Sequence, residues 1–217
     1  MRNVFRSTLL ATMLLVVACD SAERTTGFAS TAAFSGGGGG GGSGSGSLHF
    51  LQSQPATPTF TQNPVTFWAV QGQDRRAEIT YSMGRSGNQT IQLAMLRIRP
   101  RTQMTRPNGT LLAPGDSILI TMTVVDLQKL IVQFEPSGLR FGGRDPATLT
   151  MSYRFTDHDL NHDGVVDAAD AAIVATFSIF KQESNTLPWN IVRSTLTADA
   201  EQISANIPGF TNYVIAY

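Results

Sequence analysis

From Leu48 onward, apolar and polar residues mostly alternate with a period of two. Ser117 to Val124 sets Ile118, Ile120, Met122 and Val124 against Ser117, Leu119, Thr121 and Thr123. Ala147 to Phe155 sets Leu149, Met151, Tyr153 and Phe155 against Thr148, Thr150, Ser152 and Arg154. Leu130, Val132 and Phe134 form a third alternating run. Side chains of a strand point alternately to opposite faces, so each run predicts a strand with one buried and one wet face, as in antiparallel sheets. Further strands are predicted over residues 64–70, 77–81, 91–98 and 213–217, with later apolar segments at 177–180 and 189–192. Within 91–98 the apolar phase slips between Met95 and Leu96, which predicts a β-bulge there. Turn signals separate the runs: Gly72, Gly84, Pro107-Asn108-Gly109, Pro114-Gly115-Asp116, Pro136-Ser137-Gly138 and Gly142-Gly143. The pattern predicts an all-β fold, an antiparallel β-sandwich. One short helix is predicted at about 168–174, capped by Asp167.

That helix follows Asp159-Leu160-Asn161-His162-Asp163-Gly164-Val165-Val166-Asp167-Ala168-Ala169-Asp170. Oxygen-bearing side chains fall at positions one, three, five, nine and twelve, with glycine at six, which is the spacing of a calcium loop. Calcium is a hard cation that takes six to eight oxygens. The predicted ligands are Asp159, Asn161 and Asp163, the Val165 carbonyl, Asp167 directly or through water, and Asp170. Val166 is expected to turn inward as an apolar prop. Asp157 is an outlying acid, and His158 and His162 are expected to face outward. Magnesium and manganese suit so many protein oxygens less well. The stretch resembles one repeat of a dockerin, where aspartate at position twelve is usual. Ala171 departs from the larger apolar residue common at the next position. Dockerins use two such loops to bind cohesins; this chain has one, so cohesin binding is not carried over.

The amino-terminal end reads as an address. Arg2 and Arg6 precede an apolar run, Leu9 to Val17, that is short for a membrane span. It ends Val16-Val17-Ala18-Cys19, and Cys19 is the only cysteine, so no internal disulfide forms. The segment resembles the lipobox of bacterial lipoproteins, which implies signal removal after residue 18 and lipidation of Cys19. Membrane association would then run through that anchor, in the cell envelope. Asp20 resembles an inner-membrane retention signal of some Gram-negative bacteria. Residues 19–47 hold the lipidated cysteine and a stretch rich in Gly and Ser, including Gly36 to Gly42. Such a composition buries too little apolar surface to order itself and reads as a tether of roughly 30 Å mean span.

Residues 48–217 form the predicted sandwich, with the calcium loop inserted at about 157–176. The segments Phe134-Glu135-Pro136-Ser137-Gly138-Leu139-Arg140-Phe141 and Pro146-Ala147-Thr148-Leu149-Thr150-Met151-Ser152-Tyr153 resemble the ZU-type β-sandwich of ankyrins and netrin receptors. Gly209-Phe210-Thr211 and the strand after it resemble that family's closing strand. The resemblance implies a structural or protein-interaction module. Some members cleave themselves at His-Phe-Ser; here Gly209 and Thr211 replace the histidine and serine, so a strand-entry turn is expected instead.

Charge narrows the function classes. Lys plus Arg number 16 and Asp plus Glu 16, so no net field draws the chain to nucleic acid. Arg97 and Arg99 alternate as on the wet face of a strand. Trp68 and Trp189 are expected in the core, with sugar stacking as their alternative. No convergent catalytic set is visible, so a non-enzymatic module with a protein or glycan partner is expected, a carbohydrate-binding domain being the alternative.

Overall fold

The computed structural model describes residues 48–84 and 89–217; the leader, Cys19 and the tether lie outside them. The strands are β1 (Val65–Val70), β2 (Arg75–Met83), β3 (Gln89–Ile98), β4 (Thr102–Thr105), β5 (Ser117–Asp126), β6 (Ile131–Glu135) and β7 (Arg140–Gly143). They continue with β8 (Ala147–Ser152), β9 (Ser178–Gln182), β10 (Asn190–Val192), β11 (Ser194–Thr197), β12 (Gln202–Ile207) and β13 (Asn212–Ala216). A helix, α1 (Ala168–Val174), lies between β8 and β9.

Two sheets make the sandwich. One runs β1-β5-β6-β13-β9-β10 and the other β11-β12-β8-β3-β2, while β4 and β7 form a ribbon. Every strand pair is antiparallel. The period-two pattern accounts for the layers. Ile118, Ile120, Met122 and Val124 of β5 are buried with Val132 and Phe134 of β6, whereas Leu119 faces out. From the other sheet, Ile79, Leu96, Leu149, Ile203 and Ile207 join the same core. Alternation thus gives each sheet an apolar face that has to be covered by the other.

Three details differ from the pattern. The bulge of β3 sits at Leu93, since Ala94 opposes Ile79 while Gln92 opposes Thr80. Leu93 and Ala94 are consecutive and both buried, so the phase slips there and not at Met95. The strand at 147–155 ends at Ser152. Its Thr150 and Ser152 are buried rather than wet; Thr150 pairs its hydroxyl with Ser204 at 2.9 Å on the neighbouring strand. β4, β7 and β11 carry too little apolar contrast or length to stand out from sequence, and β12, whose Ile203, Ala205 and Ile207 do alternate with polar residues, is missing from the predicted strands.

The first described residues run beside the end of β13. His49 and Tyr217 exchange two backbone hydrogen bonds of 3.0 Å. Asp157 N–H then donates to the Gln52 carbonyl at 2.8 Å, so the start of the domain also meets the chain leading into the loop. β8 belongs to one sheet and β9 to the other. The segment between them is therefore a crossover from layer to layer, and it contains the whole predicted calcium loop.

Candidate functional site

The loop doubles back at Gly164, whose φ of +89° favours a residue without Cβ. Asp159 sets that turn: its Oδ1 accepts from Asp163 N–H at 3.1 Å and its Oδ2 from Gly164 N–H at 2.9 Å. Asn161 Oδ1 accepts from Asp163 N–H at 3.0 Å, and Asp163 Oδ1 accepts from Val165 N–H at 2.9 Å. Side-chain oxygens at positions one, three and five are thereby wound around the same short backbone coil. Asp157, outside the spacing, accepts from Asp159 N–H at 3.1 Å and holds the loop's entry.

Asp167 ends the loop and begins α1. Its Oδ1 accepts from Ala169 N–H at 2.7 Å, and Asp170 Oδ2 accepts from Asp167 N–H at 2.9 Å, a reciprocal capping box. An alanine-rich stretch needs this start to hold a helix of only seven residues. At the other end, Thr176 covers the Ile173 carbonyl with its N–H and its hydroxyl, at 2.8 and 2.7 Å.

Asp170 is 2% exposed, and its carboxylate is turned to the backbone. Besides Asp167, it accepts at Oδ1 from Leu160 N–H at 2.7 Å and Asn161 N–H at 3.2 Å. The Asp167 N–H first, then those of Leu160 and Asn161, hold its pKa below the ordinary carboxylate value against the opposing effect of burial. Among the described residues, no three His, Cys, Asp or Glu side chains stand together as a group able to hold a metal ion.

Two expectations about the loop's apolar side are corrected. Val166 is 63% exposed and is no inward prop; Leu160, 7% exposed, fills that place. Position eight has no facing loop to pair with, so the apolar anchor moves to position two. His158 is half-buried, and its Nε2 is buried without a hydrogen-bond partner among the described residues. It lines a cavity of about 170 Å³ with Tyr153, Leu160, Asp170, Val174 and Phe177. His162 is exposed, with φ of +58°.

The other candidates separate cleanly. Trp189 is half-buried and packs edge-on against Phe50 at 5.6 Å. Trp68 is 59% exposed on the outer face of β1 and is not a core residue. Arg97 lies on the wet face of β3 and pairs with Asp74 at 2.8 Å. The Thr211 hydroxyl donates to the Gln182 carbonyl between β13 and β9. At Gly209 a Cβ would come within 2.5 Å of the Leu139 carbonyl oxygen, so the backbone approach itself requires glycine there. Cys19 lies outside the described residues, and no helix among them is long and apolar enough to cross a membrane.

Comparison with family models, curated proteins and solved structures finds no match.

Proposed function

We propose that the chain is a lipid-anchored, calcium-binding, non-enzymatic module of the bacterial cell envelope, serving a structural or interaction role. Calcium would act as a clip on the β8–β9 crossover. The observation that carries this reading is the turn at Gly164, where Asp159 accepts from the N–H groups of Asp163 and Gly164 while Asp167 and Asp170 cap α1. That arrangement gives a structural part to each acidic position of the twelve-residue spacing. Side chains of Asp159, Asn161, Asp163, Asp167 and Asp170, with the Val165 carbonyl, are hard oxygen donors in the number calcium takes. Carboxylate oxygens that accept one N–H, as those of Asp159 and Oδ2 of Asp170 do, keep further lone pairs for a cation. Bound there, calcium would draw the loop's four aspartates around one ion and tie the crossover to α1.

Support for the anchor comes from sequence: one cysteine, at the end of a short apolar leader and before a Gly/Ser tether. Exported calcium modules meet the ion at concentrations that fill weak sites. The test is thermal unfolding with calcium and with chelator. A higher melting temperature in calcium supports the reading, and superimposable curves overturn it. For the anchor, Cys19→Ser is expected to move the protein from the membrane to the soluble fraction; continued membrane association refutes that part.

A further inference from the structure

The outer face of the six-stranded sheet carries an aromatic with no structural partner. Trp68 is 59% exposed, and its register partner on β5, Leu119, is 44% exposed. Among the described residues no other ring packs against Trp68. The two side chains form an apolar platform across β1, the edge of the sheet, and its neighbour β5. A groove of about 520 Å³ opens there, lined further by Arg106, Asn108 and Ser117. Arg106 donates to the Ser117 carbonyl at 3.3 Å, which fixes the guanidinium at the groove wall.

The same face carries a polar row. Thr123 opposes Gln133, Gln133 opposes Asn212, and Asn212 opposes Gln182. These four neutral side chains line up across β5, β6, β13 and β9. Their neighbours Val124, Val132, Phe134 and Tyr213 are buried, which turns the row outward. Strand spacing makes the row about 14 Å long, and Thr123 lies about 14 Å along β5 from Leu119. The Gln133 carboxamide makes no hydrogen bond among the described residues.

We propose that this face binds a neutral polysaccharide. The C–H face of one pyranose ring would lie on Trp68. Hydroxyls further along would exchange hydrogen bonds with Thr123 and Gln133 and donate to the carboxamide oxygens of Asn212 and Gln182, whose nitrogens already donate to Asn185 Oδ1 at 3.3 Å and the Leu187 carbonyl at 2.8 Å. Carboxamides and hydroxyls both donate and accept, as sugar hydroxyls do. An exposed aromatic ring offers its face to C–H groups, and neutral polar groups spaced along the sheet meet hydroxyls of an extended chain. A protein partner fits less well. Trp68 and Leu119 are the exposed apolar residues at the groove, and Val125 and Ile191 of the same sheet stand apart from them on β5 and β10, so among the described residues no continuous apolar patch here approaches the ~800 Å² per partner of a stable interface. The proposal uses none of the calcium-loop residues, so it stands or fails separately from the clip.

The test uses the full chain in detergent micelles. Binding is measured by co-sedimentation with cellulose, chitin and starch, and by affinity electrophoresis in soluble β-glucan and mannan. Wild type is expected to be retained by at least one. Trp68→Ala should weaken that retention about tenfold with an unchanged melting temperature, and Gln133→Ala should weaken it by a smaller factor. In a Trp189→Phe background, the remaining Trp68 emission should shift to the blue on saturation. Retention of wild type by none of these polymers, or equal retention of Trp68→Ala, overturns the proposal. Self-association of the full chain that is lost in Trp68→Ala, without polysaccharide binding, overturns it in favour of a protein contact.

Discussion

The phenol of Tyr217 donates a hydrogen bond of 3.1 Å to the carbonyl of Leu160, 57 residues away. The N–H of Leu160 donates in turn to Asp170 at 2.7 Å. One loop residue thus connects the end of the chain to the first turn of α1. The Tyr217 ring also stacks on His49 at 5.4 Å and Phe177 at 5.7 Å, so the start of the domain, the helix exit and the loop share one aromatic. Tyr217→Phe keeps the stacking and removes the bond. The expected loss is about 1 kcal/mol of stability. It is checked by the denaturant midpoint and by faster amide exchange at Leu160 and Asn161.

The acidic positions of the loop separate by role. Asp163 is exposed and bonded only locally, to Val165 N–H and the Asn161 carboxamide. Asp163→Ala is expected to leave the chelator-treated protein nearly unchanged and to abolish the stabilisation by calcium. That stabilisation should approach about 4 kcal/mol when calcium exceeds its Kd a thousandfold. Asp167→Ala removes a helix cap, which should cost about 1 kcal/mol in chelator, and a calcium ligand, so the stabilisation by calcium should fall as well. Asp170→Ala leaves the N–H groups of Leu160, Asn161 and Asp167 without their acceptor, so it should lower the melting temperature most. Calorimetry of the three variants in calcium and in chelator distinguishes these outcomes.

Much of this was legible in the sequence because alternation reports burial directly. β5 and β6 follow from Ile118, Ile120, Met122, Val132 and Phe134, and α1 follows from Asp167 and the alanines after it. What was not legible depends on partners across space. Thr150 and Ser152 read as wet, since polarity alone does not reveal the Ser204 hydroxyl opposite Thr150. Trp68 read as core, since a tryptophan on an alternating strand does not declare which sheet face is covered. The bulge at Leu93 was displaced because Met95 and Leu96 are also consecutive apolar residues. In the loop, spacing picked out the oxygen-bearing side chains that wind around the Gly164 turn, but it could not reveal that Asp170 faces the backbone or that Leu160 is buried where Val166 is exposed.

All four tyrosines are expected to titrate late. Burial pushes the phenols of Tyr81 and Tyr213 far above their ordinary value, and it raises Tyr153 and Tyr217 by less. A folded pKa above the unfolded value of about 10 gives stability that is fully present below pH ~10. That stability is lost as pH rises toward the folded pKa, because only the unfolded chain releases its protons early. Absorbance at alkaline pH should therefore show Tyr81 and Tyr213 ionising together with unfolding. Tyr81→Phe should remove one late phenol. Its hydroxyl is buried without a partner among the described residues, so this variant should be as stable as wild type or more stable by up to about 1 kcal/mol. Ionisation of Tyr81 in a still-folded protein would contradict this account.

Gly209 is where the resemblance to self-cleaving sandwiches meets a steric fact. Phe210 N–H donates to the Leu139 carbonyl at 2.7 Å, and Gly209 bridges Arg140. The two backbones approach so closely that a Cβ on residue 209 would stand 2.5 Å from the Leu139 oxygen and 3.3 Å from the Arg140 Cα. Both obstacles are backbone, so neither can swing aside as a flexible side chain would. Gly209→Ala is therefore expected to cost about 1–3 kcal/mol, the range of overpacked sites, and Gly209→His considerably more. Thr211→Val is the contrasting variant. It removes a hydroxyl that bonds to the Gln182 carbonyl but keeps the side-chain volume, so its cost should stay near 1 kcal/mol. Urea unfolding of the three proteins gives the ranking. A Gly209→His variant as stable as wild type would mean that the β7 and β13 entries stand further apart than this, and that histidine at 209 is not excluded by the fold.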